Sequence, residues 1–153
     1  MSITDILTPD MVLPDLSSDS KNGVLRELAA KLCARHPEIK PERLAAILVE
    51  RERLGSTAIG DGIAIPHGKI EGIDSILGVF GRSLKGVEFD SLDGKPTHLF
   101  FLLVAPEEAA SLHLKALARV SRLLKSATFR EQLMSARDSA EIYRLIIDED
   151  EKY

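Results

Sequence analysis

The stretch "THLFFLLVAP" (residues 97–106) is the segment that decides the fold. Successive side chains of a strand point to opposite faces, so an almost continuous apolar run predicts a strand that is covered on both faces. We therefore expect this strand at the centre of a sheet. As a helix, the run is far too short to cross a bilayer. The preceding segment "SILGVFGRSL" (75–84) predicts a second strand, and Asp93-Gly94 between the two is typical of a hairpin turn.

Helical patterns lie on both sides of these strands. Periodicity and end signals predict helices at residues 17–37, 41–55, 111–126, 128–136 and 139–148. A further short strand is predicted to close at Pro66. The order of elements indicates the α/β class. We expect a single-domain α/β/α sandwich over residues 1–153, with a mixed central sheet of about four or five strands flanked by helices.

Composition excludes several classes of function. The 153 residues are 44% hydrophobic and 29% charged, and the net charge of −4 argues against a nucleic-acid binder. The N-terminus lacks the basic and long apolar parts of a secretory signal, so we expect a cytoplasmic protein without membrane insertion. The glycine-rich "GSTAIGDG" (55–62) lacks the Lys-Ser/Thr pair of a nucleotide-binding loop. Cys33 is the only cysteine and no H-E-x-x-H pair occurs, so we expect neither a metal nor a cofactor.

His67, in "IAIPHGKI" (63–70), is the sharpest candidate for chemistry. Pro66 stiffens the chain before it, and Gly68 lets a bulky group come close to the backbone. A neutral imidazole nitrogen is a competent nucleophile near pH 7. From the residues alone, two interpretations stay open. The residue is either a reactive histidine at a strand end or one of four histidines that happens to lie at a turn.

Two other polar residues lie on the apolar faces of predicted helices. Arg51 continues the apolar stripe of the helix at 41–55, where a guanidinium needs either an acidic partner or a phosphate or carboxylate to bind. His113 lies in the first helical turn of 111–126, facing inward. Free N–H groups in that turn suit an anion, but a hydrogen-bonded core histidine fits the same position.

The remaining polar patterns favour structural roles. Lys115, Arg119 and Arg122 form a basic stripe at helical spacing, which is either a solvated helix face or a docking surface for an acidic partner. His36 lies at a helix end before a proline, where its charge suits the helix dipole. His98 begins a strand, where we expect a satisfied core or edge histidine.

The string "RERLGSTAIGDGIAIPHGK" (51–69) resembles the active-site segment of the fructose/mannitol-type IIA domains of the bacterial phosphotransferase system. Among these domains it is most similar to the nitrogen-regulatory branch, IIA-Ntr. The similarity runs from "ITDIL" through "FDSLDGKP" and "LHLKALARVSRLL" to the final helix. The resemblance therefore implies one IIA type-2 domain over residues 1–153.

The resemblance implies a role for each candidate residue. His67 falls on the family's phosphoryl acceptor, with Nε2 as the accepting nitrogen. Arg51 and His113 fall on its active-site arginine and second histidine, so we expect these three side chains to converge on one shallow pocket. Further phosphate-binding positions are expected at Ser56, Thr57 and Gly68. The family requires no metal.

The implied function is that of a phosphoryl-accepting regulatory protein of the nitrogen phosphotransferase system. Such a protein is a phosphoryl carrier rather than an enzyme acting on small molecules. His67 would receive the group from a phosphohistidine on an HPr-like carrier, for this branch the nitrogen-type carrier NPr. Phosphorylation would then control which partners the protein binds, although the sequence does not identify the regulated targets.

Alternatives remain beside this function. One is a sugar-transport IIA of fructose or mannitol type, which passes phosphate to a separate IIB protein. The absence of a membrane segment and of a IIB-like module from the chain favours the regulatory role. Another is a binding module that is not phosphorylated. A hydrolase with His67 as general base and Asp61 as its orienter has no nucleophile or metal to support it.

Overall fold

The computed structural model describes residues 1–153. Its strands are β1 (Val12–Leu13), β2 (Ala58–Gly60), β3 (Ile63–Ala64), β4 (His67–Ile70), β5 (Leu77–Val87) and β6 (Thr97–Pro106). All six form one sheet in the order β1-β5-β6-β3-β2, with β4 also paired to β6, so β6 is the central strand. Pairs β5–β6 and β2–β3 are antiparallel, whereas β1–β5, β3–β6 and β4–β6 are parallel. The predicted mixed sheet and its central strand at 97–106 are confirmed.

The sheet has six strands, more than the predicted four or five. The two-residue strand β1 adds an edge, and the region predicted as one short strand closing at Pro66 divides into β2, β3 and β4. Pro66 has no N–H to donate to a ladder, so β3 ends before it. Its carbonyl nevertheless accepts a hydrogen bond from the Leu103 N–H at 3.0 Å, and pairing to β6 resumes at once. His67 therefore begins a new strand, β4, where the sequence predicted only the end of the preceding one.

Helices cover both faces of the sheet. On one face lie α1 (Lys21–Arg35) and α2 (Pro41–Arg53), on the other α3 (Ala110–Leu123), α4 (Ala127–Ser135) and α5 (Ser139–Asp150). Two glycines mark the close approach of the first pair. A Cβ on Gly68 would lie 2.9 Å from Ile47 of α2, and one on Gly81 would lie 3.1 Å from Leu28 of α1. The α/β/α sandwich is thus confirmed.

The last helix extends two residues beyond its predicted end, to Asp150. The Asp150 carboxylate is buried, where it accepts a hydrogen bond from the Ile3 N–H at 2.9 Å and pairs with Arg119 at 2.7 Å. These contacts anchor the acidic stretch at 148–151 to the fold. None of the five helices has the length and apolar composition that a bilayer crossing requires.

Candidate functional site

Three of the predicted site residues meet at one cleft. His67 is the first residue of β4, and its ring centroid lies 5.4 Å from that of His113, in an edge-to-face arrangement. Arg51 reaches the same ring from the last turn of α2, with its Nε 3.3 Å from Nε2 of His67. The three side chains line an open cleft of about 720 Å³. The expected convergence on one pocket is therefore observed.

Local sequence explains this meeting of elements. Because side chains alternate along a strand, His67 and Lys69 share one face of β4, and Gly68 points to the other. The missing side chain of Gly68 lets Ile47 of α2 pack directly on the strand. The bulky group that Gly68 admits is thus Ile47. A contact of Gly68 with phosphate stays a prediction.

The hydrogen bonds of His67 define its tautomer. Nδ1 lies 2.9 Å from the Ile65 carbonyl oxygen, which can only accept, so Nδ1 carries the proton. The Arg51 Nε–H can only donate, so Nε2 carries a lone pair. Burial lowers the pKa of His67 below its usual 6.5, and the Arg51 charge lowers it further, while the Ile65 bond raises it. At pH 7 the ring is neutral, with its lone pair at the cleft.

His113 is an inward-facing residue whose hydrogen bonding is incomplete. Only 5% of it is exposed, and its Nε2 is buried without a hydrogen-bond partner. Burial lowers the pKa of His113 to about 4, with smaller contributions from His67 and Lys69. Buried polar atoms are nearly always satisfied, so this nitrogen marks a position suited to a polar group in the cleft.

The cleft also carries positive charge. Arg51 keeps its orientation through a second hydrogen bond, from Nη1 to the Gly55 carbonyl at 3.0 Å. Lys69 lines the cleft and forms no salt bridge, whereas the acidic Glu50 is paired with Arg53 at 3.0 Å. Sequence reasoning missed Lys69, because the strand that places it on the same face as His67 was not predicted. Arg51 and Lys69 form no salt bridge, so two cations without acidic partners lie beside a neutral nucleophile. This arrangement suits a phosphoryl group.

Ser56 and Thr57 do not line this cleft. The Ser56 hydroxyl donates to the Phe89 carbonyl at 2.7 Å, and the buried Thr57 hydroxyl donates to the Glu52 carboxylate. Both donors are already used within the fold, so contact with a phosphate requires these bonds to break. Their phosphate-binding role stays a prediction. Glu52, which sequence reasoning also missed, is the buried partner that holds Thr57.

Large apolar side chains surround the opening of the cleft. Leu54 is 83% exposed and Leu114 is 67% exposed, and both line it. Exposed leucines beside a cleft that contains a few charged and imidazole groups are typical of a surface that another protein covers. The arrangement can therefore serve a reaction whose second participant is a macromolecule.

Several other polar candidates have partners within the fold. His98 hydrogen-bonds through Nδ1 to the Ser83 carbonyl at 2.9 Å, as expected of a satisfied histidine. In the basic stripe, Arg119 pairs with the buried Asp150 and Arg122 lies over the Tyr153 ring. No three His, Cys, Asp or Glu side chains come together in an arrangement that could hold a metal ion.

Comparisons with known proteins identify the relatives of the chain. The family described as phosphoenolpyruvate-dependent sugar phosphotransferase system, EIIA 2, matches residues 5–149. The nitrogen regulatory protein of Bradyrhizobium diazoefficiens is 44% identical over 146 residues, 95% of each chain. The fructose-specific EIIABC component of Bacillus subtilis is 37% identical over 150 residues, which are 98% of this chain and 24% of that one. The crystal structure of nitrogen regulatory protein IIA-Ntr from Neisseria meningitidis has a TM-score of 0.87 and 33% identity, covering 94% of this chain and 98% of that one.

Proposed function

The chain belongs to the EIIA 2 family of the phosphoenolpyruvate-dependent sugar phosphotransferase system, and on that premise we propose that Nε2 of His67 accepts a phosphoryl group. Nitrogen regulatory relatives favour a phosphoryl-accepting, regulatory IIA role over the alternatives. One observation carries the assignment to His67. The Ile65 carbonyl fixes the proton on Nδ1 while Arg51 donates to Nε2, so the nucleophilic lone pair lies at a cation-lined cleft.

The transfer exchanges one P–N bond for another. The donor is a phosphohistidine that carries a proton on its other ring nitrogen. The Nε2 lone pair of His67 attacks phosphorus, and the electron pair of the breaking P–N bond returns to the donor ring, which leaves as neutral imidazole. The phosphorylated ring keeps the proton on Nδ1, and the Nδ1–H continues to donate to the Ile65 carbonyl. This carbonyl oxygen stabilises the positive charge that the ring has gained.

Positioning and positive charge supply most of the catalysis in such a transfer. As phosphorus takes the Nε2 lone pair, the Arg51 guanidinium turns from the nitrogen to the phosphoryl oxygens, still held by the Gly55 carbonyl. The buried Nε2 of His113 gains a partner by donating to a phosphoryl oxygen. Lys69 adds a further cation at the edge of the cleft.

Proteins of this family work with phosphocarrier partners. For this chain the proposed donor is NPr, an HPr-like carrier of the nitrogen branch, and the proposed location is the cytoplasm. The exposed Leu54 and Leu114 offer the carrier an apolar surface around the reacting ring. A phosphoryl group carries a charge of about −1.5 to −2, and the appearance of this negative group in a cationic cleft is what a regulated target would recognise.

The experiment is phosphorylation by purified carriers. Phospho-NPr and phospho-HPr are each mixed with the wild-type chain, His67→Ala and, as a control, the surface variant His36→Gln. Intact mass and ³¹P NMR then report uptake and the nitrogen that bears phosphorus. We expect uptake on Nε2 of the wild type and the control, faster from NPr, and none in His67→Ala.

Two outcomes contradict parts of the proposal. Equal phosphorylation of His67→Ala and the wild type shows that the acceptor lies elsewhere. A preference for HPr, followed by onward transfer to a sugar IIB protein, assigns the chain to sugar transport instead.

A further inference from the structure

Glu52 is a buried carboxylate that the transfer scheme leaves without a role. Its side chain is 5% exposed, whereas the side chain of the preceding residue, Arg51, lines the open cleft. It accepts a hydrogen bond from the Thr57 N–H at 3.0 Å and another from the Thr57 hydroxyl. The Lys21 ammonium pairs with it at 3.1 Å. A buried charge is tolerated only with such partners, so Glu52 is tightly fixed in place.

The contacts of Lys21 extend this network to other parts of the chain. Lys21 is the first residue of α1, and its ammonium also contacts the Asp90 carboxylate at 3.3 Å and lies 4.9 Å from the Phe89 ring centroid. The Phe89 carbonyl in turn accepts the hydroxyl hydrogen bond of Ser56. Glu52 therefore lies where α1, α2 and two loops are joined.

The loop that Glu52 anchors is the loop that orients Arg51. Nη1 of Arg51 donates to the carbonyl of Gly55, which lies two residues before Thr57. The guanidinium is planar and rigid, so the position of this carbonyl sets the direction in which Nε points. In the structure Nε points at Nε2 of His67. A shift of the loop therefore misdirects the donor.

We propose that Glu52 is a positioning residue for phosphoryl transfer: by anchoring loop 55–57 it fixes the Gly55 carbonyl and so aims the Arg51 guanidinium. This inference rests on the proposed function of His67. Glu52 touches no reacting atom and acts through the loop. Its charge has a second effect at the ring, because it raises the pKa of His67, whereas burial, the largest influence, lowers it.

The test variant is Glu52→Gln. Glutamine keeps the size of the side chain and an oxygen for the Thr57 N–H, but it lacks the charge that holds Lys21. We expect single-turnover transfer from the phosphocarrier to slow by about 10-fold to 100-fold as the donor geometry loosens. The midpoint of the pH–rate profile should also move to lower pH, because a charge that favours the protonated ring is gone. The titratable and charged groups around the ring are Glu50, Arg51, Glu52, Lys69 and His113.

Asp150→Asn is the matched control, since Asp150 is also a buried carboxylate with a main-chain and a basic partner. We expect both variants to lower the melting temperature, and only Glu52→Gln to change the transfer rate and the pH midpoint. If Glu52→Gln does not fold, Lys21→Gln breaks the same ion pair from α1 and should slow transfer in the same way.

The outcomes separate this inference from the proposed function. Wild-type rate and midpoint in Glu52→Gln, with His67 phosphorylated normally, overturn the positioning role alone. Equal slowing in Asp150→Asn also overturns it, because the effect is then one of stability. Absence of phosphate from His67 in the wild type overturns the proposed function first.

Discussion

Two arginines contact the sheet, and they differ in how fully the fold uses their donors. Arg82, on β5, is buried and donates to the main-chain carbonyls of Pro14, Leu133, Met134 and Ala136. Arg51, at the end of α2, is half-buried and donates to one carbonyl and to an imidazole nitrogen. The first guanidinium is occupied by the fold, while the second makes contacts that a ligand can replace.

The neighbours of each arginine follow the same division. Around Arg82 the accepting carbonyls belong to the end of α4 and to the chain just after β1, so the side chain joins separate parts of the molecule. Around Arg51, His113 keeps a buried nitrogen without a partner and Lys69 keeps an unpaired ammonium. Fully paired polar groups stabilise a fold, whereas groups with unused hydrogen bonds are costly and accumulate where a ligand completes them.

Arg51→Met removes the arginine whose contacts a ligand can replace, and it has the largest expected effect. Loss of the guanidinium should slow phosphoryl transfer to His67 by about 10²-fold to 10³-fold, the usual loss for a donor that stabilises transition-state charge. The free energy of unfolding should change by less than about 1 kcal/mol, because the side chain is not fully buried. Rapid-quench single turnovers and urea titration measure the two quantities. The transfer rate of Arg51→Lys, which keeps the charge without the planar donor, should lie between those of the wild type and Arg51→Met.

Arg82→Met tests the other arginine, whose donors are used by main-chain carbonyls of the fold. Several carbonyls lose their donor in a buried place, so we expect a loss of about 3 kcal/mol in the free energy of unfolding. The transfer rate per folded molecule should equal that of the wild type. Urea titration with single-turnover kinetics checks both. The comparison fails if Arg82→Met slows transfer or if Arg51→Met is the more destabilised variant.

The sequence predicts the fold well because its signals are local. The run at 97–106 is apolar on both faces, and only a central strand accommodates that pattern. Proline and glycine signals set the ends of the helices to within a few residues. The splitting of residues 58–70 into three strands was not predictable, since it depends on where Pro66 meets β6 across the sheet.

The site is predictable to a smaller extent. Inward orientation on two helices makes Arg51 and His113 candidates, and the family string makes His67 the predicted acceptor. The direction of a hydroxyl and the burial of a carboxylate depend on tertiary packing, which no local pattern contains. For this reason the sequence gives no sign that the Thr57 hydroxyl donates to Glu52, and Glu52 itself is missed; phosphate binding at Thr57 stays a prediction of the family resemblance.

His113→Leu sharpens the comparison by removing the buried nitrogen that has no partner. Leucine fits the apolar face of α3, so the free energy of unfolding at pH 7 should stay constant or rise. Transfer to His67 should slow by about 10-fold, the contribution of one neutral hydrogen-bond donor to a phosphoryl oxygen. Denaturant titration and single turnovers give the two values. A transfer rate equal to that of the wild type would show that His113 takes no part in catalysis.

The pH dependence of stability gives an independent test of the same residue. The unfolded chain binds protons on histidine near pH 6.5, whereas burial lowers the pKa of folded His113 to about 4. Stability from this group is therefore complete above pH 6.5 and is lost as the pH falls toward 4. His113→Leu should show a shallower loss across that window in urea titrations at each pH. An unchanged slope means that His113 is not the titrating group.

Gly68→Ala has the smallest expected effect and tests the packing of α2 against β4 next to His67. The new Cβ would lie 2.9 Å from the Ile47 Cγ2, so α2 must move away from β4 by a few tenths of an ångström. We expect a loss of about 1 kcal/mol in the free energy of unfolding and a modest slowing of transfer, because Arg51 moves with α2. In Gly68→Ala/Ile47→Ala the clashing methyl group is absent, so transfer should recover relative to Gly68→Ala. If the second substitution restores nothing, crowding between the new Cβ and Ile47 is not the cause of the slowing.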